Sequence, residues 1–105
     1  MKKNSLVTGC PIDTTINILK GKCKAAIVLE VYKGNNKFGL LRKNIAISEK
    51  LLSIQLSELI EDNILIKHTG VDRLESLYSL STEGKQLVPL ISEMLNWGKG
   101  YQGNI

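Results

Sequence analysis

The sequence predicts a mainly α-helical fold with one small β-hairpin set before a long terminal helix. Three observations carry that expectation. Apolar residues recur at helical spacing in successive short segments between Gly21 and Leu65, two strand-like runs flank a glycine-containing turn at 64–80, and an apolar stripe follows Ser81. With 105 residues the chain is long enough for one modest core and too short for two. One domain spanning 1–105, its core at about 10–97 and its ends frayed, is therefore expected. A hydrophobic content of 43% with 23% charged residues, and no repeat or low-complexity segment, is ordinary globular composition and argues against disorder.

The first helix should start at Pro11, where a missing N–H costs nothing, with Asp13 in its first turn facing the positive end of the dipole. Ile12, Ile16 and Leu19 would share one face. After Gly21, the segment Lys22–Lys33 carries Ile27 and Val31 four apart with Val28 and Leu29 between them, dense enough for a largely buried central helix. Gly34-Asn35-Asn36 reads as a turn. Phe38, Leu41 and Ile45 then mark a short third helix with Lys37, Arg42 and Lys43 on its solvent side, and a break falls near Ala46. Ser48 is a good N-cap, and Ile47 and Leu52 stand at the staple positions around it. A fourth helix from about Glu49 to Asp62 follows, with Leu52, Leu56, Leu59 and Ile60 as its inward stripe.

Ile64–Thr69 and Glu75–Leu80 read as strands joined across Gly70–Leu74, a hairpin that follows the fourth helix directly. Ser81 should cap the last helix. That helix carries Leu87, Leu90, Ile91, Met94 and Leu95 on one side and Trp97 near its end, and Pro89 should kink it. An apolar terminal stripe beyond an already complete core is expected to pack on a second copy of the chain, with folding back onto the same chain as the other solution.

Three short helices followed by a hairpin have the layout of a winged helix-turn-helix, with the fourth helix as the reader and the hairpin as the wing. At about 100° per residue, Lys50, Ile54 and Ser57 point away from the inward stripe and Ser53 lies on its flank. Hydroxyls and a lysine suit base edges or phosphate, and Ile54 suits a thymine methyl, although the same face is also compatible with plain solvation. Lys67, His68 and Arg73 would stand on or near the wing tip, within reach of phosphate or the minor groove. The charge is lopsided in the same sense: residues 1–50 carry ten Lys and Arg against three acids, and residues 51–105 carry four against seven. The basic half is expected to face a polyanion, and double-stranded DNA is the expected partner.

Several classes are excluded. No apolar run approaches the roughly 18 residues that span a bilayer. Leu6–Cys10 mimics a lipoprotein cleavage box but lacks the apolar stretch of about 7–15 residues before it, so a cytoplasmic location is expected. Cys10, Cys23 and His68 are too few and wrongly spaced for a closed zinc site, and no cofactor is implied. Catalysis is not expected, because the only histidine, His68, lies on a surface strand away from both cysteines.

The residues resemble the HxlR-type family of bacterial winged-helix transcriptional regulators, relatives of the MarR type. The resemblance runs in unbroken order over 10–97. It is carried by Cys10-Pro11, Gly21-Lys22, Lys37-Phe38 with Leu41-Arg42, Ile47-Ser48, Leu52, Leu56, Glu58, Leu59 and Asp62, then Tyr78–Ser81 with Gly84, and Trp97. The family usually has Trp at Cys23 and Gly at Ala46 and at Asn63, and its basic, proline-containing wing is only partly echoed by Val71–Ser76. The first three departures are expected to alter packing and turn geometry only, since Ala fits helical angles and Asn tolerates a left-handed turn.

The resemblance implies a homodimer built on the terminal helices through Leu87, Leu90, Ile91, Met94, Leu95 and Trp97. Ser48, Lys50, Ser53, Ile54 and Ser57 would then meet the operator from the recognition helix. Lys37, Arg42 and Lys43, with Lys67 and Arg73 of the wing, would clamp phosphate. It also implies redox or ligand input, with Cys10 at the place of the sensing cysteine. A thiol at a helix N-cap near Lys2 and Lys3 has its thiolate stabilised, while Asp13 opposes that. The competing reading is a winged-helix protein-docking module without specific DNA binding.

Overall fold

The structure, a computed structural model, describes residues 9–69 and 76–104, and its elements follow the expected order. α1 (Pro11–Leu19) has proline at its start and Asp13 in its first turn. Its apolar side is left bare. Ile12 and Ile16 are 68% and 55% exposed, and only Ile18 and Leu19 reach the core. α2 (Lys24–Tyr32) starts two residues later than its sequence pattern suggests, because Cys23 takes a left-handed φ of 67°. Cys23 therefore precedes the core helix instead of lying on it. α2 buries Ile27, Val28 and Val31 and packs against α3, α4, α5 and the hairpin, which makes it the centre of the core.

α3 (Phe38–Ile45) buries Leu41 and ends at Ala46, which adopts φ 59° and ψ 55°. Ala46 is thus not in the helical angles assumed for it. Its Cβ meets the steric cost that glycine escapes in the left-handed region, and the chain accepts that cost to turn sharply between α3 and α4. α4 (Glu49–Glu61) begins as its sequence requires: the Ser48 hydroxyl accepts the Leu51 N–H at 3.1 Å, and Ile47 and Leu52 are buried on either side of the cap. Its inward side buries Leu52, Leu56 and Leu59, with Ile60 packed at the margin. Asn63, at φ 62°, makes the exit turn that an asparagine tolerates.

Beyond the turn, β1 (Leu65–His68) pairs antiparallel with β2 (Leu77–Leu80) in the register Leu65 with Leu80, Ile66 with Ser79, Lys67 with Tyr78 and His68 with Leu77. Residues 70–75, and with them Arg73, lie outside the described residues. The segment before α3 joins the other edge of β2 through a single bridge of Lys37 with Leu77 and the Tyr78 N–H, which donates to the Asn36 carbonyl at 2.9 Å.

α5 (Thr82–Gly103) is held at its root by Ser81. That hydroxyl donates to the Asn63 carbonyl at 2.7 Å, with the Ile64 carbonyl 3.1 Å away, and accepts the Gly84 N–H at 2.9 Å. A Cβ on Gly84 would fall on the Ile64 carbonyl oxygen, so glycine is the residue that lets α5 approach the β1 backbone. α5 runs as one continuous helix through Pro89. Pro89 and Lys85, whose carbonyl loses its i+4 donor, are both exposed, so solvent has access to that carbonyl's side of the helix.

The contact of α2 with α4 contains a polar element that apolar periodicity did not disclose. Lys24 is 4% exposed and its Nζ lies 2.6 Å from Glu58 Oε1, while Gln55 is buried beside it with Oε1 lacking a hydrogen-bond partner among the described residues. Gly21, beside that same oxygen, adopts a φ of +139°, a conformation that side-chain-bearing residues rarely take. An ion pair with one buried end fixes the orientation of α4 more than it stabilises the fold, since burying the ammonium offsets much of the attraction.

Two outcomes follow for unfolding in urea. Ala46→Gly should raise stability by about 1 kcal/mol, the left-handed cost less the entropy that glycine adds to the unfolded chain; an unchanged midpoint would show that the turn is relaxed. Glu58→Gln should lower stability by about 1–3 kcal/mol by stranding the Lys24 charge, less than for a fully buried pair because Glu58 is half-exposed, whereas Lys24→Met should stay within about 1 kcal/mol of the parent. Equal losses in both variants would contradict that account.

Candidate nucleic-acid interface

The outer side of α4 presents Lys50, Ser53, Ile54 and Ser57, all exposed, with the Ser48 cap at its N-terminal end. The Ser48 oxygen already accepts from Leu51, so this residue chiefly fixes where the helix begins and keeps one proton for a partner. Around this face the cations come from separate elements. Lys37 stands just before α3, Arg42 and Lys43 in its last turn, Lys50 in the first turn of α4, and Lys67 on β1. Among the described residues Lys37, Lys43, Lys50 and Lys67 have no carboxylate partner. Arg42 shares Glu49 at 3.8 Å, a loose pair with both ends exposed, worth less than about 1 kcal/mol and easily exchanged for phosphate.

Lys67, expected on or near the hairpin tip, is the third residue of β1, opposite Tyr78. Strand alternation puts it on the side of Leu65 and Leu80 that turns toward the helices. There it helps to line a notch of about 100 Å³ with Phe38, Ser53, Leu56, Ser57, Ile60 and Tyr78. His68 belongs to the opposite side of the hairpin, where its Nε2 lies 2.7 Å from Ser79 Oγ. Tyr78 is 6% exposed, and burial raises the pKa of its hydroxyl above the ordinary 10.0.

The terminal helices divide the expected interface set. Ile91 is buried in the chain's own core, which corrects it from partner-facing to intrachain, and Leu87 is half-buried with one side packed on that core. Their period on α5 turns them toward α2, which the linear stripe could not distinguish from a partner. Leu90, Met94, Leu95 and Trp97 point outward, and Tyr101 stacks on Trp97 with ring centroids 5.1 Å apart. Ile12 and Ile16 of α1 are exposed as well, on the face they were expected to share with Leu19, whose surroundings the sequence left open.

Cys10 is a free, exposed thiol at the N-cap of α1, with no side-chain cap bond. Lys2 and Lys3 fall outside the described residues. Among the described residues no group of three His, Cys, Asp or Glu side chains could hold a metal ion, and no helix is long and apolar enough to cross a membrane.

Comparison with known proteins gives a consistent result. The profile of the HxlR-like helix-turn-helix family matches residues 18–105. The HTH-type transcriptional regulator YdeP of Bacillus subtilis strain 168 is 32% identical over 99 residues, covering 92% of this chain and 77% of its own. YdzF of the same strain is 35% identical over 99 residues, covering 89% and 88%. Among solved structures, the redox regulator HypR in its reduced form superposes with a TM-score of 0.78 at 27% identity, covering 89% of this chain and 94% of that one. PA1607 superposes with a TM-score of 0.84 at 21% identity, covering 94% and 70%, a likeness of fold alone.

The raised Tyr78 pKa has a defined pH signature. A hydroxyl that holds its proton more tightly when folded contributes stability in full below the unfolded value of 10.0, and that contribution is lost as pH rises through the folded value. Stability should therefore fall above about pH 10 in the parent and fall less steeply in Tyr78→Phe. Parallel alkaline profiles for the two proteins would show that Tyr78 is not desolvated in solution.

Proposed function

The chain belongs to the HxlR-like helix-turn-helix family, and from that premise we propose that it is a homodimeric regulator that binds double-stranded DNA in a sequence-specific way. Membership makes it an HTH-type transcriptional regulator and not an enzyme. The observation that carries the finer reading is the outer side of α4, where small hydroxyls and an exposed isoleucine are flanked by lysines that have no carboxylate partner among the described residues. Such a face leaves its charge for a polyanion and its shape for a groove. In this reading α4 enters the major groove, Lys50 and Ile54 meet base edges, and Lys37, Arg42 and Lys43 hold phosphates from α3.

Dimerisation in this reading uses the outward residues Leu90, Met94, Leu95 and Trp97 of α5 together with Ile12 and Ile16 of α1, an apolar exposure that favours a self-complementary contact. Two copies then present two α4 helices to successive major grooves of a pseudo-palindromic operator. Input arrives at Cys10 in the same reading: the thiol is exposed and free, and the similar regulator HypR, described as a redox regulator, is solved in reduced and oxidised forms.

The test is a titration of reduced protein against fluorescent duplex from upstream of its own gene and against random duplex, at several salt concentrations. Tight, salt-sensitive binding of two protomers per operator is expected. Ile54→Ala should cost about 1–3 kcal/mol on the operator alone, and Lys43→Ala should weaken both duplexes alike. Weak binding equal on both DNAs would favour the protein-docking alternative, one protomer per site would remove the dimer, and unchanged release of Cys10→Ser by oxidant would remove the sensor.

A further inference from the structure

The notch between α4 and the hairpin holds donors that the chain does not use. Ser53 and Ser57, one turn apart on α4, line it from one side, Lys67 of β1 and Tyr78 of β2 line it from the other, and Phe38 and Leu56 form its apolar wall. None of the four polar side chains has a hydrogen-bond or ionic partner among the described residues. Tyr78 is the strongest sign. The residue is 6% exposed as a whole, yet its hydroxyl stays open to solvent and has no protein partner among the described residues.

The chemistry of the lining narrows the ligand. The Tyr78 phenol is protonated at neutral pH, and burial raises its pKa further, so it donates; among the described residues no carboxylate lines the notch. Three hydroxyls and an ammonium lining one notch suit an oxyanion. The volume of about 100 Å³ is well below the roughly 300–1,000 Å³ of a small-molecule pocket and suits a single phosphate group. Ser53 and Ser57 also belong to the exposed side of α4, so the notch opens where that helix would meet a duplex.

We propose that this notch is a phosphate seat, taking one backbone phosphate of bound DNA, with Lys67 supplying charge and the hydroxyls of Ser53, Ser57 and Tyr78 supplying directional bonds. The base of the hairpin then anchors the protein to the strand, and the two serines fix register instead of reading bases. This rests on the DNA-binding reading of α4. It also gives the unpaired Tyr78 hydroxyl a partner in the complex.

The experiment compares the parent full-length chain with Tyr78→Phe, Lys67→Gln and Lys43→Ala on operator and random duplexes. Operators carrying one neutral methylphosphonate at each successive position are included. Thermal melts, which show that Tyr78→Phe keeps its fold, are run with and without inorganic phosphate. Tyr78→Phe and Lys67→Gln should each weaken binding about ten-fold, equally on both DNAs, and Lys67→Gln should reduce the salt slope by about 1. One methylphosphonate per half-site should weaken the parent and have no further effect on Tyr78→Phe. Parent-like binding by both notch variants, while Lys43→Ala binds weakly, overturns the seat and leaves the DNA reading standing. Failure of the parent to bind any duplex overturns both. Stabilisation by inorganic phosphate that needs Tyr78, with no effect of Tyr78→Phe on DNA, assigns the notch to a free anion and overturns the DNA-phosphate proposal.

Discussion

The closure at Ser81 is the constraint on which the rest of the architecture depends. One hydroxyl links the end of α4, the start of β1 and the first turn of α5 by donating to the Asn63 carbonyl while accepting the Gly84 N–H. The Ser81 N–H also donates to Ile64 at 3.0 Å, and Gly84 lies against that same carbonyl. A buried serine in such a position satisfies backbone groups that would otherwise be orphaned at a helix start and a strand start together. Its consequence is geometric. With this corner fixed, the hairpin must run back along α4, which brings Lys67 and Tyr78 alongside Ser53 and Ser57, and α5 must leave in the direction that lays Val88 and Ile91 on α2.

Around that corner the chain places its strain at turns. The three non-glycine residues with positive φ among the described residues are Cys23, Ala46 and Asn63, before α2, after α3 and after α4. These are the positions where the sequence departs from the pattern it otherwise resembles. Only asparagine among the three is suited to left-handed angles, so the conformation at Cys23 and Ala46 is imposed by the helices on either side and not by local preference. Those turns set the relation of α3 to α4 and hence the spacing of the Arg42 and Lys43 cations from the exposed face of α4.

Polar groups divide into two kinds with different consequences. Lys24 and Glu58 satisfy each other and hold α4 to the core, whereas the lysines around the exposed side of α4 have no acid to meet among the described residues. A protein that needed only solubility would gain from interspersed acids on that side. Leaving the cations unpaired costs little in water and preserves their charge for an anionic partner. The apolar residues left bare on α1 and α5 lie on other elements than the cationic, hydroxyl-bearing side of α4.

Local signals determined the elements and the family by themselves. Ser48 with its staple, Pro11 with Asp13, the density of Ile27, Val28 and Val31, and Ser81 before a long stripe each act within a few residues, so they are legible in one dimension. The exposed positions of α4 followed from helical period alone. What only the tertiary structure decided was how faces are shared. Ile12 and Ile16 have a core-like pattern yet stay exposed, Leu87 and Ile91 have a partner-like pattern yet pack on their own chain, and Lys24 reads as surface yet is buried against Glu58. The alignment of Ser53, Ser57, Lys67 and Tyr78 around one notch joins residues up to 25 positions apart. Period fixes which side a residue lies on, but what that side meets depends on turns at Ala46, Asn63 and Ser81 whose geometry arises from packing between elements, and no single segment encodes it.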